Sequence, residues 1–172
     1  MKGARMLLRQ TFLTSFVSAL LLLPAIAQEG QPPVTTDPIE GVWRTVSQSE
    51  ITIAACPEGF CGYLSTIVVP EGMLSGAEAD AAAAMSPEDF FDYRNSNPEL
   101  RNRPMLGLQI LTLTPSTKPA VYDGQIYNPE DGNTYSGYVQ ILGPDSLRLN
   151  GCVLYNVICR GEDWQRVPPD TQ

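Results

Sequence analysis

The chain has 172 residues, with 19 acidic and 11 basic side chains, a formal charge of −8 and no histidine. An acidic surface of this kind repels nucleic acids, so we expect no binding to them. The absence of histidine excludes Ser–His–Asp and Cys–His catalysis and the usual zinc sites. We therefore expect a binding or interaction protein and not an enzyme, with no cofactor and no metal.

Residues 1–27 have the pattern of a secretory signal peptide. Lys2, Arg5 and Arg9 precede an apolar run, and Ala25-Ile26-Ala27 puts small residues where a signal peptidase cuts. We expect cleavage after Ala27, which leaves 8 basic and 19 acidic residues and a charge of −11. The apolar run is shorter than the roughly 20 residues that span a membrane, so we expect no stable membrane insertion after cleavage. The predicted location is the periplasm or the extracellular space.

The mature chain divides into a short arm and one β domain. Residues 28–39 contain three prolines and few apolar side chains, which predicts a flexible arm. Residues 40–168 alternate short β-type runs with turn signals. The predicted strands are 41–48, 51–56, 61–69, 105–114, 120–127, 133–142, 146–152 and 160–167. This order favours an antiparallel up-and-down barrel of about eight strands, or a strongly bent sandwich, and we predict the barrel because closure removes sheet edges.

A helical insertion interrupts the β pattern at about residues 75–93. Ser75-Gly76-Ala77-Glu78 matches a capping box, and the alanine run after it has high helix propensity. Ser86 and Pro87 offer a second helix start. We predict two short helices, over residues 76–85 and 87–93.

The four cysteines of the chain indicate disulfides in an oxidising compartment: Cys56, Cys61, Cys152 and Cys159. Local pairing of Cys56 with Cys61 and of Cys152 with Cys159 is favoured, because each pair brackets a short turn. A bridge from Cys61 to Cys152 is not excluded by its energy. Metal binding and redox activity are disfavoured, since the spacings fit neither zinc knuckles nor a Cys-x-x-Cys motif.

The two ends of the domain carry residues that could close a barrel. Gly41 and Trp43 open the first strand, whereas Trp164 and Arg166 lie on the last one. In a barrel these strands are neighbours, so the arginine could cover the indole ring as a cation–π lid. The alternative is that both tryptophans simply fill the core. The arrangement resembles the Gly-x-Trp and terminal Arg signature of lipocalin-like (calycin) barrels.

A longer pattern is similar to the DUF2147 family of small exported bacterial proteins of unknown function. It comprises residues 95–107, residues 122–135, Leu147–Gly151 and Trp164-Gln165-Arg166, in this order. The resemblance covers roughly residues 41–167. It implies a signal peptide, one β-rich domain and no established activity, and it supplies no catalytic residues.

The chain departs from that family's pattern at two places. Asn95-Ser96-Asn97-Pro98 stands where the family usually has Asn-Pro-Asp-Pro, and Leu106 stands where a cysteine is frequent. If relatives bridge that cysteine to the one matching Cys61, then Cys61 must pair differently here. The resemblance therefore lends indirect support to a Cys56–Cys61 bridge.

Two groups of side chains are candidates for ligand binding. Arg101 and Arg103 belong to a basic cluster in an otherwise acidic chain, and arginine forks bind carboxylates and phosphates. The alternative is that these arginines hold the insertion against the barrel rim through Asp92 and backbone carbonyls. Tyrosines at positions 63, 127 and 135 could line a cavity, although tyrosine also fills cores. Tyr127 and Tyr135 flank one turn and are expected to face each other.

These patterns predict an exported binding module. Its barrel is expected to hold a small apolar or amphipathic ligand. The alternative is a protein-interaction module of the cell envelope, similar in scale to small periplasmic protease inhibitors, in which the arm contacts an envelope protein.

Overall fold

The computed structural model describes residues 36–69, 72, 75–153 and 157–169. The predicted signal peptide and residues 28–35 of the predicted arm lie outside them. Among the described residues, the strands and the α-helix are β1 (Gly41–Arg44), β2 (Glu50–Cys56), β3 (Gly59–Thr66), α1 (Ala77–Ala84), β4 (Gln109–Pro115), β5 (Val121–Asn128), β6 (Asn133–Gly143), β7 (Ser146–Val153) and β8 (Ile158–Arg166). Single 3₁₀ turns lie at Pro87–Asp89 and Pro98–Leu100. No helix in these ranges has the length and apolar character needed to cross a membrane.

The sheet closes into a barrel. Each strand pairs antiparallel with the next one along the chain, and β8 returns to β1 through the pairs Trp43–Arg166 and Arg44–Gln165. The predicted fold class, a mainly β up-and-down barrel with a short helical insertion, is confirmed. Because β1 has only 4 residues, its strand register with β8 consists of these two residue pairs, and closure depends on them.

β1 ends earlier than its sequence pattern predicts. The prediction extended the strand to residue 48, but the strand ends at Arg44. The N–H of Thr45 donates to the carbonyl of Ser49 at 2.9 Å, and Gln48 has a φ angle of 69°. This left-handed conformation reverses the chain toward β2, so beyond the level of Arg44 no described strand pairs with β8 on the β1 side.

The barrel interior is a packed apolar core. Alternate side chains of a strand point to the same face, so residues paired across the register share that face. Trp43 lies opposite Ile51, and Leu147 lies opposite Trp164. The inner face also includes further fully buried side chains from β2, β4 and β6: Ile53, Leu111, Leu113 and Val139. Burial of each such side chain stabilises the fold by about 1.5–3 kcal/mol.

One end of the barrel is closed by the residues that precede β1. Ile39 is fully buried, and the Trp43 indole N–H donates to its carbonyl at 2.8 Å. The Arg166 guanidinium donates to the carbonyls of Glu40 and Pro38 at 2.7 and 2.6 Å. We call this the closed end. It also carries the β2–β3, β4–β5 and β6–β7 turns, because an up-and-down topology places alternate turns at the same end.

Gly41 makes the close approach of Arg166 feasible. Its φ angle is 129°, and a Cβ atom at this position would lie 2.5 Å from Nη1 of Arg166. A larger residue here would therefore strain the backbone and displace the guanidinium. Trp164 is 2% exposed and belongs to the core.

The insertion between β3 and β4 is less helical than its sequence predicts. α1 matches the first predicted helix, but the second predicted helix, over residues 87–93, is wrong. After a single 3₁₀ turn the chain becomes extended, since Phe91 forms a β-bridge with Pro104. The N–H of Met105 donates to the carbonyl of Phe90 at 2.8 Å. This pairing against residues 104–105 outcompetes a longer helix.

Two disulfides join neighbouring strands at their turns. Cys56 pairs with Cys61 across β2 and β3, and Cys152 pairs with Cys159 across β7 and β8. The Cα–Cα distances are 5.8 and 4.0 Å. These are the local pairings that the spacing favours, so neither cysteine pair is available as thiolate metal ligands.

Candidate functional site

The end of the barrel opposite Ile39 is the candidate site. It carries the β1–β2, β5–β6 and β7–β8 turns and the long β3–β4 connection. At this end the inner faces of β6, β7 and β8 are not covered. Tyr135 and Leu149 are half-buried and Glu162 is exposed, although all three share the inner face with the core. We call Tyr135, Leu149, Gly151 and Glu162 the mouth.

The strand register assigns these residues to the inner face. Val139 is fully buried and lies opposite Leu149, which in turn lies opposite Glu162. Gly151 lies opposite Gly137 on β6 and opposite the exposed Arg160 on β8. Ile126 takes the space over Gly137, because a Cβ atom there would lie 2.4 Å from its Cδ1 atom. A Cβ atom added at Gly151 would meet no atom within 4 Å. The mouth therefore has open space above a floor formed by Leu149 and Trp164.

The polar groups of the mouth are held by neighbours of their own strands and turns. The Trp164 indole N–H donates to the Glu162 carboxylate. The Tyr135 hydroxyl donates to Asp131 at 2.7 Å, and this hydrogen bond is the largest cause of the raised pKa of Tyr135. An apolar floor with an acid and a phenol at its edge suits a ligand that has both apolar and polar parts.

Tyr127 does not face the mouth. It pairs with Thr134, whereas Tyr135 pairs with Ile126, so the two tyrosines project to opposite faces of the sheet. The prediction that they face each other is wrong, because the turn shifts their register by one residue. Tyr127 is covered by the insertion, and its hydroxyl donates to the Asp92 carboxylate at 2.6 Å. Burial, followed by this hydrogen bond, raises the pKa of Tyr127.

Asp92 is the centre of a buried polar cluster beneath the insertion. It is 1% exposed and forms a 2.8 Å ion pair with Arg103. The Asn95 side-chain amide donates to the same carboxylate at 2.8 Å. The Arg103 guanidinium also lies 4.9 Å from the centroid of the Tyr127 ring. The buried Asp92 carboxylate is therefore compensated by one ion pair and by hydrogen bonds from two side chains, as a buried charge requires.

The arginines proposed as ligand contacts are engaged within the chain. Arg101 donates through Nε to the carbonyl of Asn95 at 2.8 Å, and Arg94 donates to the carbonyl of Glu130 at 2.7 Å. The Arg101–Asn95 and Arg103–Asp92 contacts brace the insertion internally. The Arg94–Glu130 bond joins it to the β5–β6 turn, and the Tyr127–Asp92 bond joins it to β5. The geometry thus matches the structural alternative for Arg101 and Arg103. Close packing adds to it, because a Cβ atom at Gly132 would lie 1.8 Å from the carbonyl oxygen of Arg94.

Of the five side chains proposed from the sequence to bind a ligand, Tyr135 is the one that the structure places at the mouth. Tyr63 pairs with Thr52 on the face opposite Gly62 and Leu64, so it projects away from the interior. Gly151 and Glu162 are not among the ligand-binding residues predicted from the sequence. Strand alternation could have identified them. On β7, Leu149 and Gly151 follow the buried Leu147 at every second position, and on β8, Glu162 lies two positions before the buried Trp164.

Two shallow clefts lie on the outside of the barrel. One, of about 410 Å³, is at the closed end beside Asp37, Pro144 and Arg166. The other, of about 440 Å³, follows the β4–β5–β6 wall beside Asp123, Gln125 and Tyr138. Neither is lined by a mouth residue, and both open widely to solvent.

Comparison with known proteins agrees with this architecture. Residues 41–166 match the family model described as "Uncharacterized protein conserved in bacteria (DUF2147)". No curated protein matches the chain. A solved structure with a similar fold is protein HP1028 from Helicobacter pylori, described as belonging to the lipocalin family. It is 21% identical, with a TM-score of 0.60 over 80% of this chain and 87% of that one. The barrel is therefore lipocalin-like, and the chain belongs to the DUF2147 family.

Proposed function

We propose that this protein is an exported binding module that holds a small amphipathic ligand in the mouth of its barrel. The carrying observation is the contrast between the two ends. Ile39, Trp43 and Arg166 fill and cover the closed end, whereas Gly151 leaves space on the inner face at the other end. An eight-stranded barrel can be filled by side chains throughout, so a gap confined to one end is a specific feature.

The ligand class follows from the chemistry of the mouth. Leu149 and Trp164 present apolar surface, which favours an apolar portion of the ligand at the floor. Glu162 and the Tyr135 hydroxyl are available at the edge for a polar or cationic portion. Arg101, Arg103 and Tyr127 then act as positioning residues, because they fix the insertion beside the mouth and do not contact the ligand.

Export is supported by two independent features. The first 27 residues have the signal-peptide pattern, and the four cysteines form two disulfides. Disulfides persist in oxidising compartments and are rare in the cytosol. We propose the periplasm or the extracellular space as the location, and we assign no reaction to the protein.

The test is to fill the mouth and measure binding of a neutral apolar probe. N-phenyl-1-naphthylamine is titrated into the mature protein, and its fluorescence reports transfer into an apolar site. The Gly151→Leu variant places a side chain in the open space, and we expect it to abolish the fluorescence increase. The matched control is Gln140→Leu, which adds the same side chain on the exposed outer face of β6 and should bind like the wild type.

Native mass spectrometry of the protein purified from the periplasm complements the titration. Extra mass that disappears after organic extraction would identify the natural ligand directly. Equal probe binding by wild type and Gly151→Leu, with no extra mass in either, would refute the mouth as the binding site.

A further inference from the structure

The β8 strand has an open edge. β1 ends at Arg44, and its pairing with β8 stops at Gln165. From Ile158 to Trp164, β8 pairs with β7 on one side and with no described strand on the other. The six residues from Ile158 to Asp163 are all exposed. An exposed strand edge is a template for pairing with another strand.

The direction of the backbone groups identifies which residues face this edge. The N–H of Arg166 donates to Asp145 on the β7 side, whereas the N–H of Val167 donates to Val42 on the β1 side. Backbone groups alternate in direction along a strand, so those of Asp163 and Gly161 point to the β1 side as well. These are the groups that a further strand would bond.

The charges of the edge point to a specific partner. Arg160 and Glu162 lie on the two sides of Gly161 and share one face of the strand. If a second β8 pairs antiparallel about Gly161, each Arg160 lies opposite the Glu162 of the other copy. The strand is therefore self-complementary in the antiparallel direction, whereas a parallel pairing in the same register would place like charges together.

Among the arginines of the described ranges, Arg160 is the one whose side chain has no partner there. The other described arginines each bond a carboxylate or a backbone carbonyl: Arg44, Arg94, Arg101, Arg103, Arg148 and Arg166. The Arg160 backbone pairs with β7, but its side chain makes no hydrogen bond or ion pair with another described residue. In a domain with a net charge of −11 after signal cleavage, an unpaired arginine is conspicuous because carboxylates are abundant.

Exposed apolar side chains lie next to this edge. Val157 is 78% exposed and Ile158 is 56% exposed, at the tip that the Cys152–Cys159 bridge holds. In the antiparallel arrangement the tip of one copy lies beside the strand of the other, so these side chains would be covered. The inner face at this edge continues into the mouth, so pairing would bring the mouths of two copies together.

We propose that the protein forms a two-fold symmetric dimer in which β8 pairs antiparallel with β8 of a second copy, centred on Gly161. The interface is isologous, as most homodimer interfaces are, and every substitution in it acts twice. It extends the sheet across the two barrels at the place where β1 leaves β8 uncovered.

The test is a charge swap followed by sedimentation velocity at several protein concentrations. In the proposed dimer, position 160 of each copy lies opposite position 162 of the other copy. Arg160→Glu therefore puts two carboxylates opposite each other at both places, and Glu162→Arg does the same with two guanidinium groups. We expect each single variant to weaken dimerisation by about tenfold or more. The double variant, with both substitutions, restores opposite charges across the axis and should recover the dimer. Lys118→Glu, on the exposed β4–β5 turn, is the matched control and should dimerise like the wild type.

The outcomes separate this proposal from the others. A wild-type protein that sediments as a monomer at every concentration overturns it, and Arg160 and Glu162 would then protect the edge from pairing. Single variants that dimerise as well as the wild type also overturn it. Circular dichroism verifies that each variant is folded. Probe binding and sedimentation are measured separately on the wild-type protein: a monomer that binds the probe overturns the dimer alone, and a dimer that binds no probe overturns the proposed binding function alone.

Discussion

The Arg166 guanidinium lies over the Trp43 indole, with its Cζ atom 4.1 Å from the ring centroid. The same guanidinium donates hydrogen bonds to the carbonyls of Glu40 and Pro38, just before β1. One side chain of the last strand therefore holds both the first strand and the segment that covers the closed end. Barrel closure therefore depends on this side chain as well as on the two residue pairs of β1 and β8.

Replacement of Arg166 should destabilise the barrel. We expect Arg166→Ala to lower the free energy of unfolding by about 2–4 kcal/mol, because a cation–π contact and several charged hydrogen bonds are lost. Arg166→Lys should recover only part of this, since an ammonium group lacks the planar fork. Urea unfolding followed by tryptophan fluorescence measures both. The control Lys118→Ala should not change the stability, and an equally stable Arg166→Ala variant would contradict the assigned role.

The Asp92 cluster should hold the insertion. Tyr127→Phe removes a hydroxyl that donates to a buried carboxylate, and we expect a loss of about 1–3 kcal/mol. Arg103→Ala leaves that carboxylate without its ion pair and should lose about 3–5 kcal/mol. Chemical denaturation measures both values. Tyr138→Phe is the control, because the Tyr138 hydroxyl makes no hydrogen bond with a described residue, and a loss as large as that of Tyr127→Phe would argue against the cluster.

Stability should decrease at alkaline pH. Burial, followed by a hydrogen bond to Asp37, raises the pKa of Tyr122 above its ordinary value of 10.0, and burial with the Asp92 bond raises that of Tyr127. Above pH 10 the unfolded chain releases these protons while the folded chain keeps them. The free energy of unfolding therefore falls as pH rises, by up to about 1.4 kcal/mol per pH unit for each group.

Thermal unfolding between pH 8 and pH 11.5 measures this slope. The variants Tyr122→Phe and Tyr127→Phe should each flatten it, because a phenylalanine has no proton to release. A slope that stays the same in both variants would assign the alkaline transition to other groups.

Each disulfide should contribute modestly. The bridges span sequence separations of 5 and 7 residues. In the chain-entropy model, loops of this size stabilise the fold by about 2 kcal/mol each. The double variant Cys152→Ser with Cys159→Ser should therefore lower the melting temperature without abolishing folding, as differential scanning calorimetry would record. A fully unfolded variant would mean that the bridge does more than close a short loop.

Export should be visible in the intact mass of the protein recovered from the periplasm. We expect a chain that begins at Gln28 and weighs four hydrogens less than its reduced form, because of the two disulfides. Ala27→Arg should block cleavage, since a signal peptidase needs a small residue there. An unprocessed wild-type chain found in the cytosol would contradict the proposed location.

Local sequence determined much of the fold. The alternating runs and turn signals predict the eight strands closely, because period-two alternation depends on which residues face the core. The Asp131-Gly132 step between β5 and β6 and the alanine run of the insertion likewise depend on a few neighbouring residues. The cysteine spacing favours the two bridges that the structure contains, since both close short turns.

The position of the candidate site depends on the tertiary structure. Tyr127 and Tyr135 flank one turn, but Tyr127 pairs with Thr134 and not with Tyr135, so the two tyrosines lie on opposite faces of the sheet. The amino-acid composition of the turn does not indicate this pairing. Arg101 and Arg103 look available in the sequence, but their partners Asn95 and Asp92 reach them only through the folded insertion. The open β8 edge exists because a turn at Gln48 ends β1 early. Alternation is a property of adjacent residues and can be read from the chain, whereas pairing register and charge partners join distant segments and require the closed barrel.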